Sequence, residues 1–337
     1  MTRKFKAYVG IDVSKQTLDI CLLKDGIMHS FRSENSLEGL KALFRAHTDL
    51  KALKRQSTIY CFEQMGFYNN HLYAFLEHKK AAFSVQIPLH LKKSMGLVRG
   101  KSDKIDAQRI ALFTSKNAEL LKLWVRPREI ILQLKALSAQ RRRLLIARAQ
   151  LRVPLNESTA FVSKGFMKLA IDTSSNTLAA LSSDLKKIEA LILKLIREDE
   201  SLNHLFQVIT SVNYIGEVIA VSLIIATNEF KNFDNAKQFA SYAGIAPFTY
   251  QSGTSLDSKG HISFFGNKDI KTLLHLAAVG SMRYDEELRD YYRRKVAEGK
   301  HGLVVLNAVR NKIVKRIFTC VKEDRMFIRT PLIRTAG

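Results

Sequence analysis

Ala7-Tyr8-Val9-Gly10-Ile11-Asp12-Val13 is the stretch that decides how the first third of this chain is read. It is an apolar strand-like run closed by an acid. Thr58-Ile59-Tyr60-Cys61-Phe62-Glu63 repeats the pattern, again with a carboxylate at its end. Lys101-Ser102-Asp103-Lys104-Ile105-Asp106-Ala107 reads as a helix start, and its two acids, three residues apart, share one helix face. Two strand-end acids and a helical pair can converge on a hard, oxygen-seeking cation such as Mg²⁺, with Mn²⁺ as an alternative. Sites of that kind carry out phosphoryl transfer on nucleic acid. Asp12, Glu63, Asp103 and Asp106 are therefore the candidate catalytic and metal-ligating residues.

Outward from these acids, residues 1–125 read as α/β. Strand-type runs fall at Ala7–Val13, Thr17–Leu23, Ile27–Arg32, Thr58–Glu63 and Phe83–Ile87, and helical patterns at Ser36–His47, Tyr68–His78 and Lys104–Ser115. The first three strands follow one another through short turns, which predicts an antiparallel meander. The later strands alternate with helices, which predicts parallel pairing. This is the order of an RNase H-like sheet, with Asp12 on its central strand.

Residues 126–207 change character. Arg126–Arg152 holds eight Arg/Lys and one acid, Glu129, with apolar positions at Leu134, Leu137, Leu144 and Leu151. A polar patch follows, around Ser163-Lys164-Gly165 and Asp172–Asn176. Leu178, Leu181, Leu185, Ile188, Ile192 and Leu195 then recur at alternating three and four, a heptad seam. Two long helices joined by the polar tip would make an antiparallel coiled-coil arm; the plain alternative is a bundle hairpin. Residues 208–337 read as mainly helical. Val212–Ala220 contains a turn at Gly216, equally a plain helix–helix turn or half of a phosphate-contacting helix-hairpin-helix. Between Ala240 and Leu274 lies a polar, Gly-rich loop with Gln251-Ser252-Gly253-Thr254-Ser255, Ser258, His261 and Ser263. A Ser hydroxyl in such a loop can attack phosphorus, although by pattern alone a Ser-Gly pair is a common turn. Several hydroxyls compete for the role, and no His is an obvious base.

The chain has 337 residues, 46% of them hydrophobic, enough for two or three domains. Lys+Arg number 54 against 31 Asp+Glu, a net charge of +23. A surplus of this size favours a polyanionic partner. Cys21, Cys61 and Cys320 are far apart and odd in number, which indicates neither a zinc site nor a disulfide framework. No signal-type segment and no membrane-length apolar stretch is found, so the expected setting is cytoplasmic, with no membrane partner.

Six stretches in order resemble the DEDD transposases of the insertion sequence 110/1111 family, related to the Piv-type DNA invertases. They are Tyr8–Lys15, Phe62–Gly66, Lys101–Ala107, Phe239–Pro247, Gln251-Ser252-Gly253 and Leu306–Val309. The resemblance implies a RuvC-like domain (1–125), a coiled-coil linker or arm (126–207) and a C-terminal transposase domain (208–337) with Ser252 as serine nucleophile. It further implies recombination of donor and target DNA guided by a structured bridge RNA. It also implies a homodimer or homotetramer, in which the acids of one subunit are completed by the serine of another. Two loops depart from the family pattern: Phe248–Gln251 carries little basic charge, and Leu256–Lys259 is poor in Arg. Candidate nucleic-acid contacts are Lys101, Lys104 and Arg109 near the acids and Arg141, Arg142 and Arg143 in the basic segment; for each, plain surface solvation is the competing reading. The alternative function is a metal-dependent, junction-resolvase-like endonuclease without a covalent intermediate. A third reading, a nucleic-acid-binding scaffold with a dead nuclease fold, is opposed by the complete set of four acids.

Overall fold

The computed structural model describes residues 5–88, 91, 102–157, 161–252, 256–262 and 266–328, with the side chains of 248–262 outside the description. The chain divides into two compact units, Met1–Arg126 and Pro127–Gly337.

The first unit is a five-stranded mixed sheet in the order β3-β2-β1-β4-β5. Its strands are β1 (Ala7–Val13), β2 (Thr17–Lys24), β3 (Ile27–Glu34), β4 (Thr58–Glu63) and β5 (Ala82–Gln86). The meander β1-β2-β3 is antiparallel, and β4 and β5 run parallel to β1, as the element order predicts. β1 is central. Alternation along the strands sends two residue sets to two faces. Val9, Ile11, Leu18, Ile20, Leu22, Tyr60 and Phe62 pack under α1 (Leu37–Ala46), the short α2 (Thr48–Lys51) and α3 (Asn70–His78). Cys21, Leu23 and Cys61 face α4 (Asp103–Asn117) on the other side. The helix α2, which the pattern did not suggest, is one turn that buries Leu50. The unit is compatible with an RNase H-like domain.

The second unit is mostly helical. Its two longest helices, α5 (Glu129–Glu157) and α6 (Lys164–Glu198), pack along each other. The contacts Arg141 to Glu189, and Arg148 and Arg152 beside Leu178 and Ser182, run antiparallel. The heptad positions Leu185 and Ile192 are buried and Leu178, Leu181, Ile188 and Leu195 half-buried, while their neighbours are mainly exposed. On the facing helix the apolar positions fade outward, from Leu134, fully buried, to Leu151, 38% exposed. The polar patch Asp172–Asn176 is not the tip. It lies inside α6, because Ser163 caps the helix at Phe166 N and Thr173 and Ser175 turn their hydroxyls back onto Leu169 and Asp172 carbonyls. The base of this pair enters the core through Ile131, Leu134, Ile192 and Ile196. Arg128 anchors that base, reaching Asp199 at 2.7 Å and Glu229 at 2.5 Å.

The remaining helices are α7 (Glu200–Thr210), α8 (Glu217–Thr227), α9 (Ala236–Tyr242), α10 (Lys268–Tyr284), α11 (Glu286–Ala297) and α12 (Gly302–Lys322). α8 is apolar around most of its circumference and accordingly sits in the middle of the core. Between α9 and α10 the chain is not the loop that its Gly and Ser content suggests. It forms an antiparallel hairpin, β6 (Pro247–Ser252) and β7 (Leu256–Ile262). Phe248 and Tyr250 supply strand-type residues in alternation there, which outweighs the polar composition.

Candidate active site

The acids of the first unit are placed by strand register. Asp12 is the penultimate residue of β1, and Ile11 pairs with Phe62 in the parallel ladder, so the next step along the register sets Asp12 beside Glu63. Both follow the alternation of Gly10 and Cys61 and therefore face α4. Asp103 and Asp106 lie in the first turn of that helix, behind Ser102, whose side chain accepts from Ile105 N. A helix N-terminus favours negative charge, which offsets part of the repulsion between these acids.

What draws α4 onto the sheet is the glycine in the opening stretch. A Cβ on Gly10 would lie 2.2 Å from Ala111 N and 2.3 Å from Ala107 O. Strand backbone and helix backbone touch, which only Gly permits. The contact brings the helix start over the strand ends. The electrostatic result appears at Asp12, half-buried, whose carboxyl is pushed up from 3.8 to about 6 by burial and then by the charges of Asp103, Glu63, Asp106 and Asp19. The other three acids singled out in the sequence therefore all act on the Asp12 carboxyl. Asp19 is a fifth that sequence reading missed. It lies directly across from Asp12 in the β1–β2 ladder and is buried, with Arg32 at 3.6 Å. The signal was available, since the Val13-Ser14-Lys15-Gln16 turn fixes that register.

The donor set is hard carboxylate oxygen, and its mutual repulsion calls for positive charge, so the residues fit a divalent cation in chemistry and in sign. Among the described residues no three acids, histidines or cysteines are close enough to form a finished cage. Part of the set is held by protein instead: Arg109 Nη1 donates to Asp106 Oδ1 at 2.9 Å. Lys104 is exposed, and Lys101 lies outside the described residues. The two cysteines of this unit are unsuited to nucleophilic work, because burial pushes the thiols of Cys21 and Cys61 up to about 11 and about 12.

In the second unit, Ser252 is the last residue of β6, its backbone paired with Leu256. Its side chain lies outside the described residues, as do Gly253, Thr254, Ser255 and Ser263 and the side chains of Ser258 and His261. The foot of the hairpin is well defined. A Cβ on Gly266 would meet Gly244 Cα at 2.4 Å, so the two stems touch backbone to backbone. Asn267 N donates to Tyr242 O at 2.9 Å and Asn267 Nδ2 to Tyr242 Oη at 2.8 Å. Asn307 and Asn311, one turn apart on α12, both donate to Ile245 O, at 2.7 and 2.9 Å. Residue pattern alone assigns these asparagines no contact; they acquire one where the fold brings α12 under the hairpin.

The basic triplet is divided in its surroundings. Arg141 is committed to Glu189 across the helix pair at 2.7 Å, and Arg142 to Asp269 on α10. Arg143 is exposed, with Gln140 as its neighbour at 3.4 Å and no acid in range among the described residues. The turn at Val212–Gly216 leaves α8 with Gly216 at its N-cap and no side-chain cap. No helix of the described residues is long and apolar enough to cross a membrane.

Two family models match the chain. A transposase model of the DEDD type of IS110 matches residues 9–157, which include all four acids, and a model described as transposase of the IS116/IS110/IS902 family matches residues 206–293, which include Ser252. Over 335 residues the chain is 27% identical to the pilin gene-inverting protein of Moraxella bovis, covering 96% of this chain and 98% of that one. It is 32% identical over 161 residues to a 43.6 kDa protein of insertion element IS110 from Streptomyces coelicolor, covering 47% of this chain and 38% of that one. The chain belongs to the IS110 family of transposases, enzymes of the DNA transposase and recombinase class.

Proposed function

We propose that this enzyme cuts and rejoins DNA through a phosphoserine link at Ser252, assisted by Mg²⁺ or Mn²⁺ at Asp12, Glu63, Asp103 and Asp106, and that it moves an insertion element under the guidance of a structured bridge RNA. The observation that carries the reading is the convergence of Asp103, Glu63 and Asp106, together with Asp19, on the Asp12 carboxyl. Bound there, a divalent cation supplies a Lewis acid for a phosphoryl oxygen. The chain's own residues do the rest. The Ser252 hydroxyl forms a new P–O ester as one P–O bond of the DNA strand breaks. Its proton leaves to a base, and the freed sugar oxygen takes up a proton. One phosphoester replaces another, so rejoining needs no nucleotide cofactor. The position of Ser252 as the last residue of β6 supports a nucleophile presented at the end of the hairpin strand.

The net charge of +23 supports a nucleic-acid partner. We assign Lys101, Lys104 and Arg143 to phosphate contacts and Arg109, Arg141 and Arg142 to contacts made in exchange for their present acids. The antiparallel helices α5 and α6 would form the coiled-coil arm of a homodimer or homotetramer, in a three-part organisation of 1–125, 126–207 and 208–337. The cytoplasm is where the DNA substrate lies. Near-full-length similarity to pilin gene-inverting proteins supports the same cut-and-rejoin chemistry, since inversion and transposition differ in the arrangement of sites rather than in the bonds made.

A suicide DNA substrate tests the assignment. Wild-type protein should yield a DNA-linked peptide modified at Ser252, and Ser252→Ala should bind DNA yet yield none. Modification at Ser255 or Ser241 would reassign the nucleophile. Cleavage without any adduct would establish the metal-only endonuclease instead.

A further inference from the structure

Beneath the serine hairpin, α10 and α12 enclose a cation that no acid compensates among the described residues. Arg310 is 8% exposed. Other arginines of this unit are matched: Arg128 holds Asp199 and Glu229, and Arg316 holds Asp285 and Glu287. Among the described residues Arg310 has no carboxylate in ion-pair range. Its Nη2 meets His275 Nδ1 at 2.6 Å, and its Nε is buried without a hydrogen-bond partner. A guanidinium stays protonated in such a place, and an unpaired buried charge weighs against the fold. A buried donor without a protein partner is met by water, an ion or a ligand group.

The histidine sharpens the argument. Arg310 can only donate, so His275 Nδ1 must accept and the ring proton sits on Nε2. Burial and the Arg310 charge both lower the His275 pKa, which keeps the ring neutral. His275 thus holds one edge of the guanidinium while the Arg310 Nε–H stays unused. The pair lies at the foot of the serine hairpin. Asn307 and Asn311 flank Arg310 on the same face of α12 and hold Ile245 O, two residues before β6 begins.

We propose that Arg310, oriented by His275, binds one phosphate of the DNA backbone, holding the strand against the hairpin that carries Ser252. A phosphodiester has the single negative charge and the acceptor oxygens that the guanidinium lacks. The inference rests on the reading that this unit handles DNA strands, and DNA rather than RNA is chosen because the site lies at the serine hairpin.

The test compares full-length wild type with Arg310→Met, Arg310→Lys and Ser252→Ala. Without nucleic acid, Arg310→Met should melt no lower than wild type, because it removes an unpaired charge. It should bind a DNA duplex carrying the recombination site about tenfold more weakly, and the slope of log affinity against log salt should be shallower by about 1. Arg310→Lys should keep the slope and bind several-fold more weakly, since an ammonium lacks the planar fork. Affinity for guide RNA should be unchanged in both. Lower melting of Arg310→Met with an unchanged DNA slope would make the guanidinium structural and overturn the proposal. So would a slope change confined to RNA. If Arg310→Met does not fold, wild-type DNA affinity in Arg310→Lys overturns it as well. Ser252→Ala should bind as wild type does. Loss of the slope in Arg310→Met with no serine adduct in wild type would remove the nucleophile assignment and leave this site standing.

Discussion

The acidic face of the first unit and the hairpin foot of the second are built alike and charged oppositely. Each hangs on backbone touching backbone, Gly10 against Ala107 and Ala111 in one case and Gly266 against Gly244 in the other. In each, charge of one sign is gathered without full compensation: Asp12 among four other acids, Arg310 beside a neutral histidine. Both arrangements cost folding energy that apolar packing must offset. On the proposed function, a divalent cation would answer the acids and a DNA phosphate the arginine.

The largest expected effect falls on the acidic face. Replacing Asp12, Glu63, Asp103 or Asp106 by Ala should lower recombination by at least about 100-fold, while circular dichroism and the thermal transition remain those of a folded protein. Normal recombination by Asp12→Ala or Asp106→Ala would end the claim that the four acids act together. Equal loss for Asp19→Ala would make the fifth acid a working member of the set.

The next effect concerns the two backbone contacts. Gly10→Ala and Gly266→Ala should each destabilise by about 1–3 kcal/mol, and each should affect its own unit, as hydrogen exchange resolved along the chain will show. Gly165→Ala, where a Cβ meets nothing within 4 Å, serves as control and should be neutral or slightly stabilising. Normal stability of Gly10→Ala would mean that α4 can be displaced without consequence for the fold.

The smallest effect is a pH-dependent one at Asp12. Its folded value, about 6, lies above the ordinary 3.8, so the folded state binds the proton more tightly than the unfolded chain. Stability from this group is therefore present at acid pH and is lost as pH rises from about 4 to about 6. In a chelator, Asp12→Asn should melt as wild type does near pH 4 and higher than wild type above pH 6. Added Mg²⁺ should raise the wild type alone and narrow the gap. A gap that stays constant across the range would show that repulsion at Asp12 is not what the substitution relieves.

Much of the acidic face was legible in the sequence because its parts are local. A strand ends where an apolar run meets an acid, two acids three apart share a helix face, and short turns dictate an antiparallel meander. Asp12, Glu63, Asp103 and Asp106 could thus be named before any coordinates, and the order of strands and helices in the first unit followed from the same pattern. The sequence also marked the heptad stripe of α6. Only the tertiary structure decided the rest. Asp19 became part of the acidic face through its pairing with Asp12 across the ladder. The Ser252 segment became a hairpin because strand pairing offset its loop-like composition. Asp172–Asn176 became helix because neighbouring turns carried it. His275, Asn307 and Arg310 stand up to 35 residues apart in the chain and acquire meaning only where α10 and α12 meet. Periodicity reports what a residue shares with neighbours three, four or two positions away. Whether a buried charge has a partner depends on contacts between distant segments, and no local pattern encodes that.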